Sequence, residues 1–188
     1  MKPFVRALLA VAVLAAGQGV LCADFGYSFS FTVVQKHGNG TKTENDFETV
    51  KNQKWSYLVT MENKSFKDVY NIEVKYVMFT KQEGHDIDGP TGQNKLERHT
   101  GTVPIKLIKN NDKVSFSTDS ILLTNVVYNY GLYADETAKG ALKGLWLRIY
   151  IGGQMVAEYM NPQDLSNKEQ FDAPPPDNKK GKGDDAGN

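Results

Sequence analysis

Leu145-Trp-Leu-Arg-Ile-Tyr-Ile-Gly-Gly-Gln-Met-Val-Ala-Glu-Tyr159 is the stretch whose reading decides the fold. Leu145, Leu147, Ile149 and Ile151 alternate with Trp146, Arg148 and Tyr150. A period of two puts one set on a buried face and the other on the opposite face of a strand. Gly152-Gly153 then stands between this run and a second one, Met155 to Tyr159. A Gly-Gly pair between two alternating runs predicts a tight hairpin, because both residues of the favoured turn need positive φ.

The same period recurs outward from this hairpin. Tyr70, Ile72, Val74, Tyr76 and Met78 alternate with Asn71, Glu73 and Lys75, and Trp55, Tyr57, Val59 and Met61 with Ser56, Thr60 and Glu62. Tyr27, Phe29, Phe31 and Val33 form a third such set. Val103, Ile105 and Leu107, then Val114 and Phe116, flank a turn at Asn110-Asn111-Asp112. Strands with one apolar and one solvated face belong to antiparallel sheets. Ile121–Tyr130 is apolar enough for a strand buried on both faces. His37-Gly-Asn-Gly40 predicts a turn, and residues 41–54 read as a polar stretch anchored by Phe47 and Val50. Gln82–Asn94, rich in Gly and Asp, reads as a loop. Asp135–Gly140 reads as one helical turn, and Pro162-Gln-Asp-Leu165 as the start of a short helix. About seven to nine strands joined by turn-rich connections predict an all-β chain. The expected form is an antiparallel immunoglobulin-like sandwich, with an antiparallel barrel as the alternative.

Residues 1–23 read as a cleavable signal peptide. Lys2 and Arg6 precede an Ala, Leu and Val run from Ala7 to Ala16, which is too short to span a bilayer, and small residues follow. Export to the periplasm or cell surface follows as an expectation, with no transmembrane span left after cleavage. Cys22, the single cysteine, sits at the junction and is a candidate lipidation site, although Gly19 and Leu21 reverse the usual order of a lipobox. Cleavage after Cys22 and cleavage after Ala23 both stay open. The sandwich is expected over residues 24–171. A polar tail is expected over 172–188, where three prolines, Lys, Gly, Asp and Asn leave too little apolar surface to fold.

Twenty-two basic and 22 acidic residues balance, with no clustered basic stretch, so a nucleic-acid partner is not expected. No nucleophile elbow or phosphate loop is present, and no cofactor is expected. His37, His85 and His99 show no ligand spacing. Asp86, Asp88 and Glu97 fall at the first, third and twelfth positions of a calcium loop and are the candidate metal set. Pro90 and Thr91 occupy the fifth and sixth positions, where such a loop needs a ligand and a glycine. Asn39-Gly-Thr41 and Asn63-Lys-Ser65 fit the glycosylation acceptor pattern and are read as turn sequences. Trp55, Tyr57 and Tyr76 share the phase of core residues, whereas Trp146 and Tyr150 run opposite to Leu147 and Ile149. Trp146 and Tyr150 are therefore the candidate exposed binding pair.

Trp55-Ser-Tyr-Leu-Val-Thr-Met-Glu-Asn63, Val69-Tyr-Asn-Ile-Glu-Val-Lys-Tyr76 and the hairpin from Leu147 to Val156 together resemble exported bacterial immunoglobulin-like sandwich proteins of unassigned role. The resemblance implies fold and compartment and carries over no site residue. The expected function is a non-catalytic exported binding or structural module that engages another protein. A carbohydrate-binding module using Trp146 and Tyr150, with a glycan partner, and a small secreted hydrolase are the alternatives.

Overall fold

The computed structural model describes residues 26–83, 96–128, 136–167 and 169–173. Eight strands run through them: β1 (Phe29–Glu44), β2 (Glu48–Asn63), β3 (Val69–Glu83), β4 (Glu97–Ile108), β5 (Lys113–Ser117), β6 (Ile121–Tyr128), β7 (Glu136–Ile151) and β8 (Gln154–Asn161). A short 3-10 helix, Gln163–Asn167, follows β8. Every strand pairing is antiparallel.

The strands form one hydrogen-bonded path, β1-β2-β6-β7-β3-β4, with β5 added to β2 and β8 added to β7. Strand β2 pairs with β6 over Glu48–Trp55 and with β5 over Leu58–Glu62. Strand β7 touches β6 only at its start, through Glu136–Lys139, and then runs between β3 and β8. The path therefore folds over at the β6–β7 corner into two layers. One layer holds β1, β2 and β5; the other holds β4, β3, β7 and β8. Tyr57, Val59 and Met61 of the first meet Val74, Leu147 and Ile149 of the second in a common core. Each Val, Leu or Ile fully buried there contributes about 1.5–3 kcal/mol. Among the described residues β1 and β4 do not pair, so the path stays open rather than closing as a barrel.

The Gly152-Gly153 turn is as expected, with φ of 57° and 80°. Asn111, with φ of 58°, supports the turn between β4 and β5, since Asn tolerates this region better than other side chains. The 3-10 helix sits where a short helix is expected.

Three local expectations are corrected. His37–Gly40 does not turn the chain. It lies inside β1 at a register shift against β2, and the chain turns at residues 45–47. Gly40 is required by close packing: a Cβ there would stand 2.3 Å from the Asn52 carbonyl oxygen. The turn itself is built by Asn45, whose Oδ1 accepts from the backbone N–H of Phe47 and Glu48. The segment from Glu136 to Gly140 is not helical but opens β7, held by pairing with β6 and β3. Strand β6 is not buried on both faces: Leu123 is buried, whereas Leu122 is largely exposed.

Candidate functional site

Two surfaces emerge from the described residues: the outer face of the four-stranded layer and the free margin along β1. On the outer face, the residues out of phase with the core form rows across the strands. Arg98 of β4 lies opposite Phe79 of β3, which lies opposite Gly144 of β7. Val77, Trp146 and Met160 form the next row, and Lys75, Arg148 and Glu158 the third. One end of this face is thus apolar and aromatic, the other charged.

The apolar end is covered. After β8 the chain crosses back through the 3-10 helix and continues to Ala173. Leu165 and Phe171 pack with Val77, Phe79 and Trp146 in a second buried cluster. Phe171 meets the Trp146 ring edge-on at 5.4 Å between centroids, a favoured aromatic geometry. Gly144 makes the crossing possible. A Cβ at this position would lie 2.6 Å from Leu165 Cδ1 and 2.8 Å from the Asn161 carbonyl oxygen.

Two arginines grip the covering segment. Arg98 Nη2 donates to the Phe171 carbonyl oxygen at 2.8 Å, and Nη1 stands 3.5 Å from Glu169 Oε2. The Arg98 side chain is only 7% exposed. Arg148 Nη1 donates to Asp172 Oδ2 at 2.9 Å, and Nε donates to Glu158 Oε1 at 2.7 Å. Trp146 Nε1 donates to the same Glu158 oxygen at 2.8 Å. The Arg148 guanidinium lies 4.3 Å from the Phe171 ring centroid and 5.3 Å from that of Trp146, within cation–π range. Burial works against the Arg148 charge. The hydrogen bond and charge of Glu158, with Tyr150 adding to them, outweigh it and hold the pKa above the ordinary arginine value. The arrangement binds a carboxylate and an aromatic ring.

Trp146 and Tyr150 do share one face, as their phase predicts, but they are not an exposed pair. Trp146 is 4% exposed, covered edge-on by Phe171, and Tyr150 is half-buried with Lys75 Nζ 4.9 Å from its ring centroid. The expectation of an open sugar-stacking Trp146 is corrected: a segment beyond the last strand covers it, and strand phase alone does not report that cover. Glu97 opens β4 with a 68% exposed side chain, 3.9 Å from His99 Nε2. Asp86, Asp88 and Cys22 lie outside the described residues. Among the described residues no group of three or more His, Cys, Asp or Glu is placed to hold a metal ion. Asp172, assigned by the sequence to the tail, is described and bonded to Arg148, while residues 174–188 lie outside the described set. Arg98, Glu158 and Phe171 are functional candidates that the sequence reading missed. The available signal was Phe171, a lone aromatic in a polar stretch just before three prolines.

The second surface is the free margin. From Phe29 to His37, β1 pairs with β2 in unbroken register, and among the described residues its other side is the end of the sheet path. This run has no proline and one charge, Lys36. Val34 is 44% exposed, opposite Leu58. At the far end of the path, β4 carries Pro104 and the charges Glu97, Arg98 and Lys106, features that block edge pairing.

No family model and no curated protein matches this chain. Among solved structures it is similar to a Northeast Structural Genomics Consortium target, at 10% identity over 71% of this chain and 85% of the other, with a TM-score of 0.36. It is also similar to a Bordetella pertussis protein described as ApaA (8% identity, 71% and 92% coverage, TM-score 0.32). A protein of Akkermansia muciniphila gives 9% identity, 84% and 82% coverage and a TM-score of 0.31. At these scores the likeness assigns no activity.

Proposed function

We propose that this chain is an exported, non-catalytic binding module, an immunoglobulin-like sandwich of the bacterial periplasm or cell surface that pairs with another protein along strand β1. The observation that carries this is the free run Phe29–His37: a regular, proline-free ladder with one charge at the end of the sheet path. Such an edge presents a row of backbone donors and acceptors, and an incoming strand satisfies them while alternate side chains supply specificity. Val34 and Leu58 offer an apolar contact beside that edge. The signal-like segment 1–23 supports the compartment.

The test compares the full chain with Val34→Lys in capture from envelope extracts, followed by hydrogen exchange on the captured complex. Edge lysines discourage strand addition, and a surface change of this kind alters stability by within about 0.5 kcal/mol. Capture is expected to fall at least tenfold in the variant, with slowed exchange at Ser30–Gln35 in the wild-type complex. Equal capture by both chains would sink the edge-pairing mode.

A further inference from the structure

We propose that the face formed by Arg98, Phe79, Trp146 and Arg148 is a docking groove for short acidic peptides with an aromatic anchor, and that the chain's own Glu169–Asp172 occupies it as an internal competitor. This site is separate from the β1 margin and does not depend on pairing there.

The chemistry of the groove is read from what fills it. Phe171 supplies an aromatic ring for Trp146, Glu169 a carboxylate for Arg98, and Asp172 a carboxylate for Arg148. The Phe171 carbonyl supplies a main-chain acceptor for Arg98. Together these are the features of an acidic motif with one aromatic residue. Among the described residues, the carboxylate partner of the deeply buried Arg98 is Glu169. The sheet thus fixes a cation whose counter-charge arrives on a different segment. With that segment in place the cation is buried and needs partners, which Glu169 and the Phe171 carbonyl supply.

The occupant is able to leave. It follows the last strand and adds no strand of its own. Among the described residues its backbone–backbone hydrogen bonds are local, from Leu165 to Pro162, Glu169 to Leu165 and Ala173 to Gln170, and its one backbone tie to the sheet is the Phe171 carbonyl held by Arg98. Release unpairs no part of the sheet. A tethered segment competes at a millimolar effective concentration, so a peptide in trans binds the intact chain weakly and binds a chain with a weakened internal segment strongly.

The experiment uses the full chain, its Phe171→Ala variant and a labelled peptide of the sequence Leu165–Ala173, read by fluorescence anisotropy. The expected result is binding to Phe171→Ala at least tenfold tighter than to the wild type. That binding is lost when the peptide carries Ala in place of its phenylalanine, and weakened tenfold by Arg98→Gln in the Phe171→Ala chain. Equal or absent binding to a folded Phe171→Ala chain overturns the proposal. If that variant does not fold, the wild-type chain decides. Saturable binding at millimolar peptide, reversed by the same phenylalanine substitution, supports the groove, and its absence overturns it. A sedimenting dimer that Phe171→Ala dissolves would assign the groove to a second copy and equally overturn peptide docking. Val34→Lys leaves all of these outcomes unchanged, so failure here is distinct from failure at β1.

Discussion

Asn63 shows how one side chain organises an end of the sandwich. It is fully buried, and its Nδ2 donates to the carbonyl oxygens of Lys67, Ile108 and Lys109 while its Oδ1 accepts from the Ser65 N–H. The β2–β3 and β4–β5 connections are therefore tied to a single amide. The acceptor pattern Asn63-Lys-Ser65 is thereby used internally. Asn63→Ala leaves the buried Ile108 carbonyl and the part-buried carbonyls of Lys67 and Lys109 without this partner, and stranding a buried acceptor costs about 1–3 kcal/mol. We expect the variant to unfold in urea with a loss of about 2–3 kcal/mol and an unchanged slope. A loss within 0.5 kcal/mol would show the tie to be dispensable. Tyr76 plays a similar part across the core: its hydroxyl donates to Asp119 Oδ2 and accepts from the Asp119 N–H, and its ring lies over Gly101 where a side chain would collide.

Among the elements, the long strands β1, β2 and β7 carry apolar alternation at one end and polar sequence at the other. Alternation was legible from Phe29 to Val33 and from Trp55 to Met61, because one face there is buried. It was not legible from Lys36 to Lys54, where pairing is held by the backbone ladder and most side chains are exposed or half-buried. A ladder is invisible to hydropathy when neither face is dry. Asn71, with φ of 51°, illustrates the converse. It breaks phase within β3, so Val69 and Ile72 are buried while Tyr70 points outward, opposite Leu107. The covering segment depends on Gly144 at the crossing point. Gly144→Ala sets a methyl against a backbone carbonyl, an overpacking that costs about 1–3 kcal/mol. The expected signature is a lower urea midpoint with Trp146 fluorescence shifted toward the solvent-exposed range. A variant with both values unchanged would show that the segment crosses freely.

At the scale of the whole molecule, the buried tyrosines make stability depend on alkaline pH. Burial raises the hydroxyls of Tyr57 and Tyr76 from the ordinary value of 10.0 to about 12; the Gln35 hydrogen bond works against the rise at Tyr57, and at Tyr76 the Asp119 carboxylate adds to it while the Asp119 N–H opposes it. Both groups hold their protons more tightly folded than unfolded. Their contribution is complete below pH 10 and is lost as pH rises through about 12. We expect cooperative loss of strand circular dichroism in that window, together with late tyrosinate absorbance. Tyr57→Phe and Tyr76→Phe should each move the transition to higher pH, and Tyr76→Phe should also cost about 1–3 kcal/mol at neutral pH through the two hydrogen bonds it makes with Asp119. Smooth ionisation of every tyrosine from pH 10 with strands intact would contradict this.

The order of residues by itself determined the all-β antiparallel class, the Gly152-Gly153 hairpin and the inward face of β2 and β7. These depend on period and turn chemistry, which are local. It also determined that Trp146 and Tyr150 lie on one outward face. Only the tertiary structure decided that Trp146 is covered, that Arg98 and Arg148 converge on Phe171 and Asp172, and that β1 is left at the margin. Each of these joins segments far apart in the chain. Their meeting depends on which strand pairs with which, and the corner between β6 and β7 settles that through long-range contacts that no local pattern encodes.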